Sequence, residues 1–110
     1  MLQQVSDFEL ELMKTIWENG GTALYAEIVE KLDSKGMSAT KNTIISLLLR
    51  LIEKGFLKTN KIGRRNRYTA LVSEAEYQEE QMENLLARVY EGNIQGLVTT
   101  LLKKQRESAE

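Results

Sequence analysis

The chain has 110 residues, of which 42% are hydrophobic and 28% charged, and a formal net charge of -1; such a composition folds, as one domain or as a reading head with a small assembly element. It contains neither cysteine nor histidine, which excludes disulfides, zinc fingers, thiolate copper sites and imidazole acid–base chemistry, so neither a metal nor a cofactor is expected. No apolar run approaches the roughly 18 residues needed to span a bilayer, and Met1 to Asp7 lacks the basic and apolar regions of a signal peptide, so a cytoplasmic location without membrane insertion is expected.

Ser6-Asp7-Phe8-Glu9 has the form of a capping box and opens a first helix, in which Leu10, Met13 and Trp17 recur at helical spacing with Leu12 and Ile16 beside them. Val5 and Leu10 occupy the positions of a hydrophobic staple, and Gly20-Gly21 ends the helix. Thr22-Ala23-Leu24 reads as a short extended link to a second helix, about Tyr25 to Ser34, with an apolar stripe of Ile28, Val29 and Leu32. After the turn Ser34-Lys35-Gly36, Thr40 caps a third helix that runs to about Lys54 and carries Ile44, Leu47, Leu48, Leu51 and Ile52 on one side; Gly55 stops it.

Leu57 to Ile62 and Arg67 to Val72 read as two strands flanking Gly63-Arg64-Arg65-Asn66, where Gly63 and Asn66 tolerate positive φ, so the segment is a hairpin. Three helices followed by a hairpin make a winged helix. The expected fold is therefore mainly α with a small β-hairpin, residues 1–72 forming a winged-helix DNA-binding domain.

A second capping box, Ser73-Glu74-Ala75-Glu76, opens a fourth helix to about Glu91 with Tyr77, Met82, Leu85, Leu86, Val89 and Tyr90, closed by Gly92. A fifth helix bears Ile94, Leu97, Val98, Leu101 and Leu102 as a narrow stripe that nothing else in the chain obviously covers. Left in water, that stripe is a solubility liability, so residues 73–110 are expected to be a helical dimerisation region, with Leu85, Val89, Tyr90, Ile94, Leu97, Val98, Leu101 and Leu102 as its contacts.

Charge is unevenly distributed. Residues 41 to 67 hold Lys41, Arg50, Lys54, Lys58, Lys61, Arg64, Arg65 and Arg67 against Glu53 alone, while both flanks are acidic. In isolation a basic block is as often a solvated face as a ligand site. Here it coincides with the two elements that a winged helix presents to DNA. On the third helix, Lys41, Asn42, Thr43, Ser46 and Arg50 point largely away from the apolar side: Asn42 suits a two-fold pair with adenine, Thr43 and Ser46 bases or phosphates, and Lys41 and Arg50 the backbone. In the wing, Lys61, Arg64, Arg65 and Arg67 suit phosphate or minor-groove contact.

Trp17 and Tyr25 lie on or near apolar stripes and read as packing. With no histidine, the six serines cannot form an ordinary Ser-His-Asp arrangement, and with no glycine-rich phosphate loop an enzyme is not expected. The competing reading is a winged-helix protein-interaction module without specific DNA binding, for which Ile45 and Leu49 on the third helix leave room.

Val5 to Met13 with Ile16-Trp17, Thr43-Ile44 through Leu51-Ile52-Glu53-Lys54-Gly55-Phe56-Leu57, Tyr68 with Leu71 to Tyr77, and Val89-Tyr90-Glu91-Gly92 with Leu97-Val98 together resemble the penicillinase-repressor family, which includes the methicillin-resistance and copper-transport repressors. The resemblance covers nearly the whole chain. It implies a homodimeric transcriptional repressor that binds a palindromic double-stranded operator through N-terminal winged-helix heads. In the antibiotic-responsive branch it further implies a membrane sensor-transducer, or its protease, as a partner, with cleavage in the dimerisation helix at the bond aligned here with Thr100-Leu101. Three features differ from that pattern: Lys41 stands where a proline is familiar, Ile45 where a basic residue is, and Val98-Thr99-Thr100-Leu101-Leu102 lacks an Asn-Phe pair. The cysteine cluster of the copper-responsive branch is also missing.

Overall fold

The computed structural model describes residues 2–109 and is mostly helical, in the order α1 (Asp7–Glu18), β1 (Thr22–Leu24), α2 (Tyr25–Ser34), α3 (Lys41–Glu53), β2 (Leu57–Ile62), β3 (Arg65–Ala70), α4 (Glu74–Val89) and α5 (Ile94–Ala109). It divides into two compact units, Met1–Glu76 and Tyr77–Glu110.

In the first unit the caps form as the residues dictate. The Ser6 hydroxyl accepts from the Glu9 backbone N–H at 3.2 Å while the Glu9 carboxylate accepts from the Ser6 N–H at 2.9 Å. Thr40 caps α3 by accepting from the Thr43 N–H at 3.2 Å. Leu24 precedes α2 and has no side-chain acceptor, so Glu27 reaches back instead and accepts the Leu24 N–H at 2.8 Å.

The three helices close on a core of Leu12, Met13, Ile16, Ile28, Leu32, Ile44, Leu48 and Leu51, completed from the sheet by Ala23, Phe56, Leu57 and Tyr68. Trp17 is half-buried at its edge, and its Nε1–H donates to the Val72 carbonyl at 2.9 Å. One charged group is taken inside as well. Glu9 is 2% exposed, and the Lys54 ammonium just beyond α3 donates to both its carboxylate oxygens at 3.0 Å and to the Gln4 carbonyl at 2.9 Å. This clip ties the C-terminal end of α3 to the start of α1.

The sheet differs from the sequence-based expectation in two ways. Thr22–Leu24 is a strand rather than a link, and the antiparallel order is β1-β3-β2 with Ala23 opposite Tyr68. The hairpin turn is also tighter. Ile62 pairs with Arg65, so only Gly63 and Arg64 form the loop, and Asn66 lies within the strand opposite Lys61. Gly63 has φ +63° and Arg64 is not among the residues with positive φ, the pattern of a type II′ turn, whose twist matches that of the strands it joins.

The second unit begins inside α4, whose N-terminus is capped reciprocally by Ser73 and Glu76. The exit from α4 needs left-handed backbone at two successive residues, Glu91 (φ 50°) and Gly92 (φ 83°), rather than at the glycine alone. Asn93 then caps α5, its Oδ1 accepting the Gly96 N–H at 3.1 Å. Among the described residues, no helix is long and apolar enough to cross a membrane.

Candidate nucleic-acid interface

α3 is amphipathic because Ile44, Leu48 and Leu51 are required by the core, and its opposite side is consequently turned to solvent. Lys41, Asn42, Thr43, Ser46 and Arg50 are all exposed, as their positions on the helix predicted. Asn42, Thr43, Ser46, Leu47 and Arg50 line one shallow depression along this side. Leu47, expected on the apolar side, is the one lining residue outside the sequence-based candidates, and two more apolar residues lie on the solvent side of the helix. Ile45 is half-buried and Leu49 is 54% exposed.

In the wing the strand register sorts the basic side chains by face. Ile62 with Arg65, Asn60 with Arg67 and Lys58 with Thr69 are opposed pairs, so Lys58, Arg65 and Arg67 share one face of the sheet. Lys61 and Asn66 share the other, on which Tyr68 and Leu57 are buried further down the ribbon. Lys61, Arg64 and Arg65 are exposed; Arg67 is half-buried, its Nε–H donating to Asn60 Oδ1 at 3.4 Å. Lys58 was not among the expected residues. The alternation of strand positions could have found it once the register was known.

The two elements meet at the N-terminal end of α3. Leu24, Tyr25, Ala26, Lys41, Ile45, Arg64, Arg65 and Asn66 line a concavity of about 360 Å³ there, bringing the tip of the wing, the first turn of α2 and the first turn of α3 to one place. Tyr25, expected to be packing, is instead part of this surface, with the Lys41 ammonium 6.0 Å from its ring centroid, at the outer limit of a cation–π contact. Burial pushes the Tyr68 phenol above its ordinary pKa of 10.0, and the neighbouring Tyr25 adds to the shift. Tyr68 therefore stays neutral, and the positive charge of the surface comes from Lys41, Arg64 and Arg65. Among the described residues, no group of three or more acidic side chains is placed to hold a metal ion.

In the second unit, α4 has no buried residue and leaves Met82, Leu85 and Val89 exposed, with Tyr90 half-buried just after it. On α5, Ile94, Val98, Leu101 and Leu102 are exposed while Leu97 is 7% exposed. Leu97 is thus already covered within one chain, in contrast to the rest of the expected stripe. Thr100 and Leu101 lie inside the continuous helix α5, where the Thr100 hydroxyl donates to the Gly96 carbonyl at 3.0 Å.

A family profile described as penicillinase repressor matches residues 5–110. The chain is 37% identical over 109 residues to the penicillinase repressor of Bacillus licheniformis, covering 99% of this chain and 84% of that one. It is similar to the solution structure of the DNA-binding domain of the repressor BlaI, at 40% identity and a TM-score of 0.60 over 70% of this chain and 92% of that one. A similar match, at 40% identity and a TM-score of 0.57 over the same shares, is the solution structure of the monomeric form of Bacillus licheniformis BlaI in complex with the blaP half-operator.

Proposed function

From the premise that this chain belongs to the penicillinase repressor family, we propose that it is a sequence-specific DNA-binding transcriptional repressor, and not an enzyme, acting as a homodimer on a palindromic operator. Residues 1–72 are the reading head and residues 73–110 the dimerisation region. The observation that carries this reading is the concavity where Lys41 of α3 and Arg64 and Arg65 of the wing come together on the rim of an exposed polar helix face. A relative 40% identical to this chain over the head binds a half-operator.

In this reading α3 lies in the major groove, with Asn42, Thr43 and Ser46 toward the bases and Lys41 and Arg50 toward phosphates. The wing lays Lys61, Arg64, Arg65 and Arg67 along the backbone. Dimerisation is supported by the exposed apolar positions of α4 and α5, since a helix that buries none of its side chains gains little from tertiary packing unless a partner covers it.

The test is selection from random duplex DNA across a salt series. A two-fold symmetric motif is the expected product. Replacing Arg64, Arg65 and Arg67 by alanine is expected to weaken binding to every duplex and to flatten the salt dependence, by about 0.9 in the log–log slope for each phosphate that is no longer neutralised. Asn42→Ala is expected to change the motif itself. No enrichment, or triple-variant binding with unaltered slope, refutes the assignment.

A further inference from the structure

The solvent face of α3 is not uniformly polar. Asn42, Ile45, Ser46 and Leu49 follow one another at i, i+3, i+4 and i+7, which places all four on one stripe, opposite the buried Ile44, Leu48 and Leu51. Neither apolar member is among the fully buried residues of the core. Leu49 is 54% exposed, and Ile45 forms part of the wall of the concavity between α2, α3 and the wing tip. Two aliphatic side chains are therefore held in the middle of a surface whose rim is Lys41, Arg50, Arg64 and Arg65.

The rim identifies the occupant. A cationic border fits a polyanion, and within a polyanionic duplex one group accessible in the major groove is apolar: the C5-methyl of thymine. A helix that carried only Asn42 and Ser46 would recognise bases by hydrogen bonds alone. Ile45 and Leu49, one helical turn apart on the same stripe, add two apolar surfaces to that readout.

We propose that Ile45 and Leu49 are specificity-determining residues of this protein, each packing on a thymine methyl in the operator, with Asn42 and Ser46 supplying the polar part of the same readout. The inference rests on the DNA-reading function proposed above. It assigns the apolar positions of α3 to DNA rather than to a protein partner.

Deoxyuridine makes the test specific, because it keeps the Watson–Crick pairing of thymidine and removes only the methyl. The duplex enriched by selection is compared with versions in which each thymine in turn is replaced by deoxyuridine, using the full-length protein, Ile45→Ala and Leu49→Ala. Two positions per half-site are expected at which the wild type loses about fourfold in affinity, the value of one buried methyl group. At one of these positions Ile45→Ala should no longer distinguish thymine from uracil, and at the other Leu49→Ala should not. Leu49 is exposed and Ile45 half-buried, and an unchanged thermal melt confirms that both variants fold.

Equal affinity of the wild type for thymine and uracil duplexes overturns the proposal, as does a methyl effect that survives in both variants. If neither variant alters DNA binding but both lose association with a protein, the face belongs to that partner. Failure of any duplex to be enriched removes the DNA-reading function itself, and the inference with it.

Discussion

Glu9 is a charged side chain buried in the head, and it has two roles there. Its capping role was legible, because Ser6 and Glu9 are three apart in sequence and the box is a local arrangement. Its pairing with Lys54 was not, because the two are brought together only by the packing of α1 against α3. Burial alone would raise the Glu9 pKa, but hydrogen bonds from the Ser6 backbone and the Lys54 ammonium outweigh it and hold the carboxyl below its ordinary 4.5. A carboxyl lowered on folding stabilises the protein fully above the unfolded value of 4.5, and that contribution is lost as pH falls through the lower folded value. Glu9→Gln, which keeps the cap but not the charge, is expected to cost about 2 kcal/mol at pH 7, less than the 3–5 kcal/mol of a wholly buried pair because Lys54 is still partly solvated. Urea unfolding should also show a weaker acid dependence below pH 4.5 in the variant. Equal stability of the two proteins at pH 7 would show that the clip contributes nothing.

Among the elements, helices were easier to read than strands. Each helix from α1 to α5 has a capping residue or an apolar period of 3.6 that the sequence displays directly. β1 has only three residues, too few for any alternation to register, and it is a strand because β3 offers an edge on which Thr22 to Leu24 can pair. The hairpin was placed correctly but its turn was read two residues too long. Asn66 tolerates a turn, yet Gly63 alone supplies the positive φ that a two-residue loop needs, and the tighter loop gains the Lys61–Asn66 and Ile62–Arg65 pairs. Gly63→Ala places a Cβ at φ +63° and is expected to destabilise the wing by about 1 kcal/mol. Amide exchange is the direct measurement: Ile62 and Arg65 should lose protection while α1 and α3 keep theirs. Uniform loss throughout the head would mean that the wing does not open independently.

For the whole molecule, the division into a head and a helical C-terminal region follows from a change in what the apolar residues face. In the head the stripes of α1, α2 and α3 meet one another; in α4 and α5 most of the stripe is left bare. The sequence could name those residues but could not tell which of them a single chain already covers. Leu97 is one, so its replacement would damage the protomer as well as any interface. The sharper variant is Val98→Asp with Leu101→Asp, both exposed positions. Sedimentation is expected to show a dimer for the wild type and a monomer for the variant, with the head still folded. A dimer of undiminished mass would locate self-association elsewhere.

The chain has one tryptophan, and its indole N–H is held by the carbonyl of Val72, where the polypeptide leaves the sheet for α4. Intrinsic emission is therefore a property of that joint. Loss of the Trp17–Val72 hydrogen bond with exposure of the indole to water is expected to shift that emission to longer wavelength. The protein thus carries an optical gauge of whether the segment leaving the sheet at Val72 stays docked on α1.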